Sequence, residues 1–317
     1  MSSLRLLALI AGPPLLIALS YWCSMSASAR GTSTQSFETT KISEFSQTDS
    51  NLPPTTSLLV KCQLKADRLW KQLPDFCQVI LHEPFIIAGD YSRSELESHY
   101  QNSVLPTYRA LSKSYFDKSP DEPIVILMFS NDKTYRKMSQ KLDGRHTANY
   151  YGYYEKSKRR VVLNLSTGNG TLAHELTHAL THFDFPNMPE WFDEGLASLH
   201  EHAQLSDDGN KLEGVVNWRL NHLLQGLQTR HLRSLQVMIS EATIRPNQQA
   251  IDYAQARYFC MYLQNKGLLS EFYHQFRDRF EADRTGQTDL LEITGNETVA
   301  EVEQDFLNWI QQSYAPR

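Results

Sequence analysis

Long uninterrupted hydrophobic runs are missing from this chain. The longest, Leu6 to Leu19, is broken by Gly12-Pro13-Pro14 and is shorter than the roughly 20 apolar residues that a bilayer-spanning helix needs. Cysteine is scarce, with four in 317 residues, at positions 23, 62, 77 and 260, and none has a zinc-finger spacing. An excess of positive charge is missing too. Lysine and arginine number 31 against 36 acidic residues, a net charge of −5, which argues against a nucleic-acid partner. Nor is there an internal repeat. What remains is an ordinary globular composition, with chain enough for one large domain or two small ones.

The first segment reads as processing signal rather than fold. Arg5 precedes the apolar run, and Ala27-Ser28-Ala29 offers a cleavage site before Arg30. Residues 1–29 are therefore expected to be a secretory signal peptide, with an uncleaved anchor through residues 6–22 as the alternative. The expected location is secreted or periplasmic. Tyr21-Trp22 are too bulky for lipid attachment at Cys23. Cleavage leaves three cysteines, of which Cys62 and Cys77 are the better candidate pair in an oxidising compartment. Cys260 sits in an apolar helical pattern and reads as buried and inert. Residues 30–57 are rich in Ser, Thr and Gln and read as a disordered linker.

Residues 58–317 are expected to form one α+β domain, with a sheet-containing half at 58–170 and a helical half at 171–317. Leu58 to Leu73 reads as a helix, Phe85 to Ala88 as a strand, and Ser94 to Phe116 as a long helix bent at Pro106. Pro123 to Phe129 is a continuous apolar run suited to a central strand buried on both faces. Asn149 to Tyr154 and Arg160 to Leu165 read as a hairpin that feeds into the next helix through Gly168-Asn169-Gly170. Its tyrosines suit a half-buried strand, and its edge is expected to flank a cleft. Ser206 to Asn210 reads as a loop tip. Helical patterns follow over Asn217–Leu227, Leu232–Ile239, Asn247–Gln264 and Leu268–Phe280, and from about Asn296 onward.

The chain is organised around Thr171 to Leu180, which holds His174-Glu175-x-x-His178. On a helix these histidines lie one turn apart on one face, where both can bind a single Zn²⁺. Glu175 sits beside that face, within reach of a water at the ion. Leu172, Leu176, Ala179, Leu180 and Phe183 form an apolar stripe on the opposite side. Catalytic zinc takes three protein ligands and leaves a fourth position to water. A turn with two prolines, Phe183 to Pro189, leads to a second helix beginning near Glu190. Four residues compete for the third ligand. Glu194 lies within the second helix, beside Gly195, which would allow close packing against the first. Glu190 follows Asn187 by three and looks like part of a capping box. Asp193 points about 100° from Glu194, so the two cannot serve equally. His182 is two turns from His174, about 12 Å, too far to share one ion.

His174-Glu175-x-x-His178 followed by Trp191-x-x-Glu194-Gly195-x-Ala197 resembles the gluzincin zinc metallopeptidases, most nearly the small bacterial peptidase MA-like proteins. The likeness spans roughly Phe85 to Ser313, including Tyr253-Ala254-Gln255-Ala256 and the final Phe306-x-x-Trp309-Ile310. It implies a gluzincin-like fold: a small mixed sheet, the His-Glu-x-x-His helix, then a mostly helical part. It also implies Glu194 as third zinc ligand, Glu175 as general base, and a downstream tyrosine as oxyanion donor, for which Tyr253 matches best and Tyr258 is the reserve. The partner is then a peptide or protein substrate, cut by a metal-activated water. A Gly-x-Met-Glu-Asn segment, which aminopeptidases of the family use to hold an amino terminus, is absent, and an endopeptidase is the expectation. A catalytically silent zinc protein, or an envelope assembly or binding protein of the same fold, is the alternative.

Overall fold

A five-stranded mixed sheet organises the N-terminal half. The computed structural model describes residues 56–147 and 150–314; the expected signal peptide, Cys23, Asn149 and nearly all of the linker lie outside them. Strands β1 (Gln78–His82) and β2 (Phe85–Gly89) pair antiparallel, and β2 runs parallel to β3 (Ile124–Phe129). Strand β4 (Gly152–Glu155) pairs antiparallel with β5 (Arg160–Asn164), and β5 runs parallel to β3. The order is β1-β2-β3-β5-β4, which leaves β4 on the edge.

Every residue of β3 is buried. Ile124, Ile126 and Met128 enter the larger core, and Val125, Leu127 and Phe129 the smaller one on the other face. That two-sided burial is why the strand reads as a continuous apolar run. Among the helices of this half, α1 (Leu58–Trp70) contributes Cys62 and Leu69 to the smaller core, while α2 (Arg93–His99) and α3 (Leu105–Tyr115) contribute Leu96 and Leu111 to the larger. Helix α4 (Asp132–Asp143) adds Tyr135 and Met138 to the smaller core.

Beyond the sheet the chain is mainly helical. Helices α5 (Gly170–Asp184) and α6 (Glu190–His200) precede a small hairpin, β6 (Ala203–Leu205) with β7 (Leu212–Gly214), whose tip carries Ser206 to Asn210. Then come α7 (Leu220–Thr229), α8 (Leu235–Glu241), α9 (Gln249–Asn265), α10 (Leu269–Arg279), α11 (Gln287–Thr294) and α12 (Val299–Tyr314). Among the described residues no helix is long and apolar enough to cross a membrane.

Four expectations need correction. The helix over 94–116 is not continuous: a π-helical stretch, Tyr100–Val104, separates α2 from α3, with Pro106 in the first turn of α3. Pro106 has no N–H to donate to the preceding turn, and a wider turn absorbs the mismatch. Strand β1 and helix α11 were not expected; β1 is five residues with only Ile80 buried, too short to show a period. Cys62 and Cys77 are free, buried thiols rather than a pair, and burial pushes both up to about 11.

The fourth concerns Gly195. It makes room for α9, not α5. A Cβ there would stand 2.9 Å from the Ala256 carbonyl oxygen and 2.9 Å from Cys260 Sγ. Gly195→Ala should therefore cost ~1–3 kcal/mol by overpacking. The expected reading is a lower urea midpoint at unchanged slope; an unshifted midpoint would mean that α9 yields without strain.

Candidate metal centre

Helix α5 presents its two faces as the spacing requires. Leu172, Leu176, Ala179 and Leu180 are buried in the larger core, and Phe183 packs at its margin. His174 and His178 emerge on the other side into a cleft of about 600 Å³, which Glu175, Asp193, Glu194, Tyr253 and strand β4 also line. Gly152 lets β4 approach α5 closely: a Cβ there would stand 2.4 Å from Thr171 Cγ2 and 3.3 Å from Glu175 Cγ.

Helix α6 lies against α5 and runs antiparallel to it, since His178 meets Asp193 while His174 meets Glu201 farther along. Three atoms converge between the two helices. His174 Nε2 and His178 Nε2 stand 3.2 Å apart, and Glu194 Oε2 lies 3.5 Å from each. Ligand atoms held ~2.05 Å from a tetrahedral zinc ion stand roughly 3.3 Å from one another, so the triangle has the size of three-quarters of a tetrahedral site. Glu194 Oε2 is buried and has no hydrogen-bond partner in the protein. The His174, His178 and Glu194 group could hold a metal ion.

Two further carboxylates orient the histidines. Asp193 Oδ2 lies 2.9 Å from His178 Nδ1, and its Oδ1 accepts from the Thr181 hydroxyl at 3.1 Å. Glu201 Oε2 stands 3.5 Å from His174 Nδ1, an ion-pair contact too long for a good hydrogen bond. Glu201 is itself gripped by Arg219, whose Nε and Nη2 donate to its two oxygens at 2.9 Å each, and by Asn217 at 3.1 Å. A proton on each Nδ1 faces these carboxylates, bonded to Asp193 and in ion-pair range of Glu201, and leaves both Nε2 lone pairs aimed at Glu194. Three electron-pair donors facing one another repel unless a cation sits among them. The imidazoles show the same demand. Burial depresses them, but Glu194 and Glu201 outweigh it and lift His174 to about 9, and Asp193 and Glu194 lift His178 well above its usual value. Burial would raise Glu194, yet the two imidazoles 3.5 Å from its Oε2 hold it far below the carboxylate range.

Glu175 is buried beside the triangle and outside it. Burial raises its pKa, while the charges of His174 and His178 and the Tyr154 backbone N–H oppose the rise. The two candidate tyrosines separate cleanly. Tyr253 lines the cleft with its hydroxyl against the Glu194 carboxylate, and burial and that carboxylate raise its pKa. The Arg219 guanidinium packs 5.2 Å from the Tyr253 ring centroid. Tyr258 instead turns its hydroxyl to the backbone of Asn217, 3.3 Å from both N and O, away from the triangle. His182 stays outside the ligand group, bonding Tyr154 Oη through Nδ1 at 2.8 Å.

Glu190 corrects the capping expectation. Pro189 occupies the N-cap of α6 and no side-chain cap bond forms. Glu190 Oε2 accepts instead from the Ile244 N–H at 3.0 Å. Glu201 and Arg219 are the site residues that the sequence reading missed, and Asp193, weighed there only as a rival ligand, sits instead on His178 Nδ1. Glu201 had a signal: seven residues past Glu194 is nearly two full turns, the same face of α6. Arg219 had none, because it arrives from a separate segment.

No family model matches this chain, and no curated protein matches it.

Proposed function

We propose that this chain is a zinc-dependent peptidase of gluzincin type, cutting internal peptide bonds. The observation that carries the reading is a buried carboxylate, Glu175, poised beside a three-ligand triangle it does not join. A structural zinc site is closed by four protein ligands and has no use for a base. When bound, zinc supplies Lewis acidity that polarises a carbonyl and lowers the pKa of water toward about 7.

The chain's own groups supply the rest. His174, His178 and Glu194 hold the ion, with Asp193 and Glu201 fixing the imidazole rings. Glu175 takes the proton of the attacking water and delivers it to the leaving amine. Tyr253 donates a hydrogen bond to the oxyanion developing on the substrate carbonyl. Strand β4, at the edge of the sheet and along the cleft, offers an edge on which an extended peptide could pair. Secretion belongs to the same reading and rests on Leu6–Leu19 and Ala27-Ser28-Ala29.

The test is a peptide-library digest by the zinc-loaded protein alongside Glu175→Gln. Cleavage by the first and not the second supports the reading; no cleavage by either leaves a silent zinc protein. Tyr253→Phe should lower kcat about 10²-fold with KM and zinc content near wild type, while Tyr258→Phe should leave kcat within about twofold. Equal rates for all three proteins would remove Tyr253 from the chemistry.

A further inference from the structure

The cations around the β4–β5 turn fall into two groups. Arg145 pairs with Glu155 at 3.0 Å, and Lys158 and Arg160 pair with Asp143 at 2.7 and 2.8 Å. Lys156 and Arg159 belong to the same turn, yet among the described residues neither has a carboxylate within ion-pair reach. Lys156 lines the cleft, and its Nζ donates to the Pro186 carbonyl oxygen at 2.9 Å. The Arg159 guanidinium lies 5.7 Å from the Phe183 ring centroid, over the last turn of α5. Both cations crowd His182, which also lines the cleft: burial, then the charges of Lys156 and Arg159, hold its imidazole below the ordinary range.

This excess is local, because the chain as a whole is acidic at −5. The cleft contains no spare carboxylate to neutralise it. Asp193 is taken by His178 and Thr181, Glu194 by the histidine pair, and Glu175 by the Tyr154 N–H. Lys156 in the cleft wall and Arg159 behind it, over Phe183 and acting on the cleft-lining His182, are two cations without a carboxylate partner among the described residues, and their charge faces a cleft that has none to spare. His182 lies one helical turn past His178, roughly 6 Å along α5. An extended peptide covers that in about two residues.

We propose that Lys156 and Arg159 form a subsite for a substrate carboxylate, selecting peptides with an acidic side chain or a free terminal carboxylate within about two residues of the scissile bond. This rests on the peptidase reading and names the substrate class for that same cleft.

Binding tests it without turnover, on zinc-loaded Glu175→Gln protein followed by fluorescence anisotropy. Three short peptides of one sequence are compared: one with Glu two residues from the centre and an amidated end, one with Gln there and an amidated end, and the Gln peptide with a free terminal carboxylate. At least one carboxylate peptide should bind roughly fivefold tighter than the neutral one, the scale of two exposed ion pairs. Which one it is identifies the source. Adding Lys156→Glu with Arg159→Glu should abolish the advantage, Lys156→Gln with Arg159→Gln should do so without reversing charge, and about 0.5 M salt should shrink it. Equal binding of the three peptides, no binding at all, or a preference that survives both double variants overturns the subsite. Failure of the peptidase reading appears separately, as wild-type protein that binds these peptides and cuts none.

Discussion

His174→Ala, His178→Ala and Glu194→Gln should each lose the single equivalent of zinc that the wild-type chain is expected to carry, while Glu190→Gln keeps it. The three donor atoms lie 3.2 to 3.5 Å from one another, and among the described residues no fourth group joins them. Removing one donor leaves two, too few for a tight site. Glu190 accepts a backbone N–H from Ile244, a bond that Gln can still accept, so its loss touches stability by ~1 kcal/mol at most. Asp193→Asn is the intermediate case. It keeps the ligands but takes a carboxylate from His178 Nδ1, and zinc affinity should fall 10- to 100-fold. Metal analysis after dialysis against a weak chelator reads all five variants. Stability follows the same order, since an ion present at about 1,000 times its dissociation constant adds ~4 kcal/mol. A strong chelator should therefore lower the wild-type melting temperature and leave Glu194→Gln where it was. Affinity should rise with pH through neutrality, because His174 holds its proton to about 9 in the absence of an ion and must release it to bind one. Zinc retained in Glu194→Gln and lost from Glu190→Gln would show that the triangle is not the site.

Glu175→Gln should behave in the opposite way, keeping the metal and losing hydrolysis. The side chain is nearly isosteric and lies outside the ligand group, so the ion has no reason to leave. The lost group is the proton acceptor, and general-base catalysis contributes roughly 10²–10⁴-fold. The expected result is kcat lowered by about that factor, KM near wild type, and one zinc per chain. The measurement is a fluorogenic peptide chosen from the library digest, with metal content determined on the same samples. Loss of zinc in this variant would make Glu175 a holder of the site rather than its base. Retained hydrolysis would assign the activity to another group or to a contaminant.

Several features were legible before any coordinates because they depend only on local period. A four-residue spacing on a helix puts His174 and His178 on one face whatever surrounds it, and the same period sends Leu172, Leu176, Ala179 and Leu180 to the other. The six apolar residues of β3 announced burial on both faces for a similar reason. Local signals were weaker where a tertiary partner decided the outcome. In the 94–116 region the sequence flagged Pro106, but not the π-helical stretch Tyr100–Val104 that precedes it.

By itself, then, the sequence determined that one helix carries core on one side and two aligned imidazoles with a neighbouring carboxylate on the other. The acidic balance and the scarcity of cysteine were equally legible there. Only the tertiary structure decided what stands opposite those imidazoles. Of Glu190, Asp193 and Glu194, adjacent turns of one helix, the fold aims Glu194 between the Nε2 atoms, sets Asp193 on an Nδ1, and draws Glu190 to the backbone at Ile244. It brought Arg219 across to grip Glu201, turned Tyr253 toward the triangle and Tyr258 away from it, and gave Gly195 to α9. The reason is geometric. Sequence spacing fixes the angle of a side chain about its own helix axis, but the rotation and register of that helix against its neighbours are set by packing of cores that close only when distant segments meet.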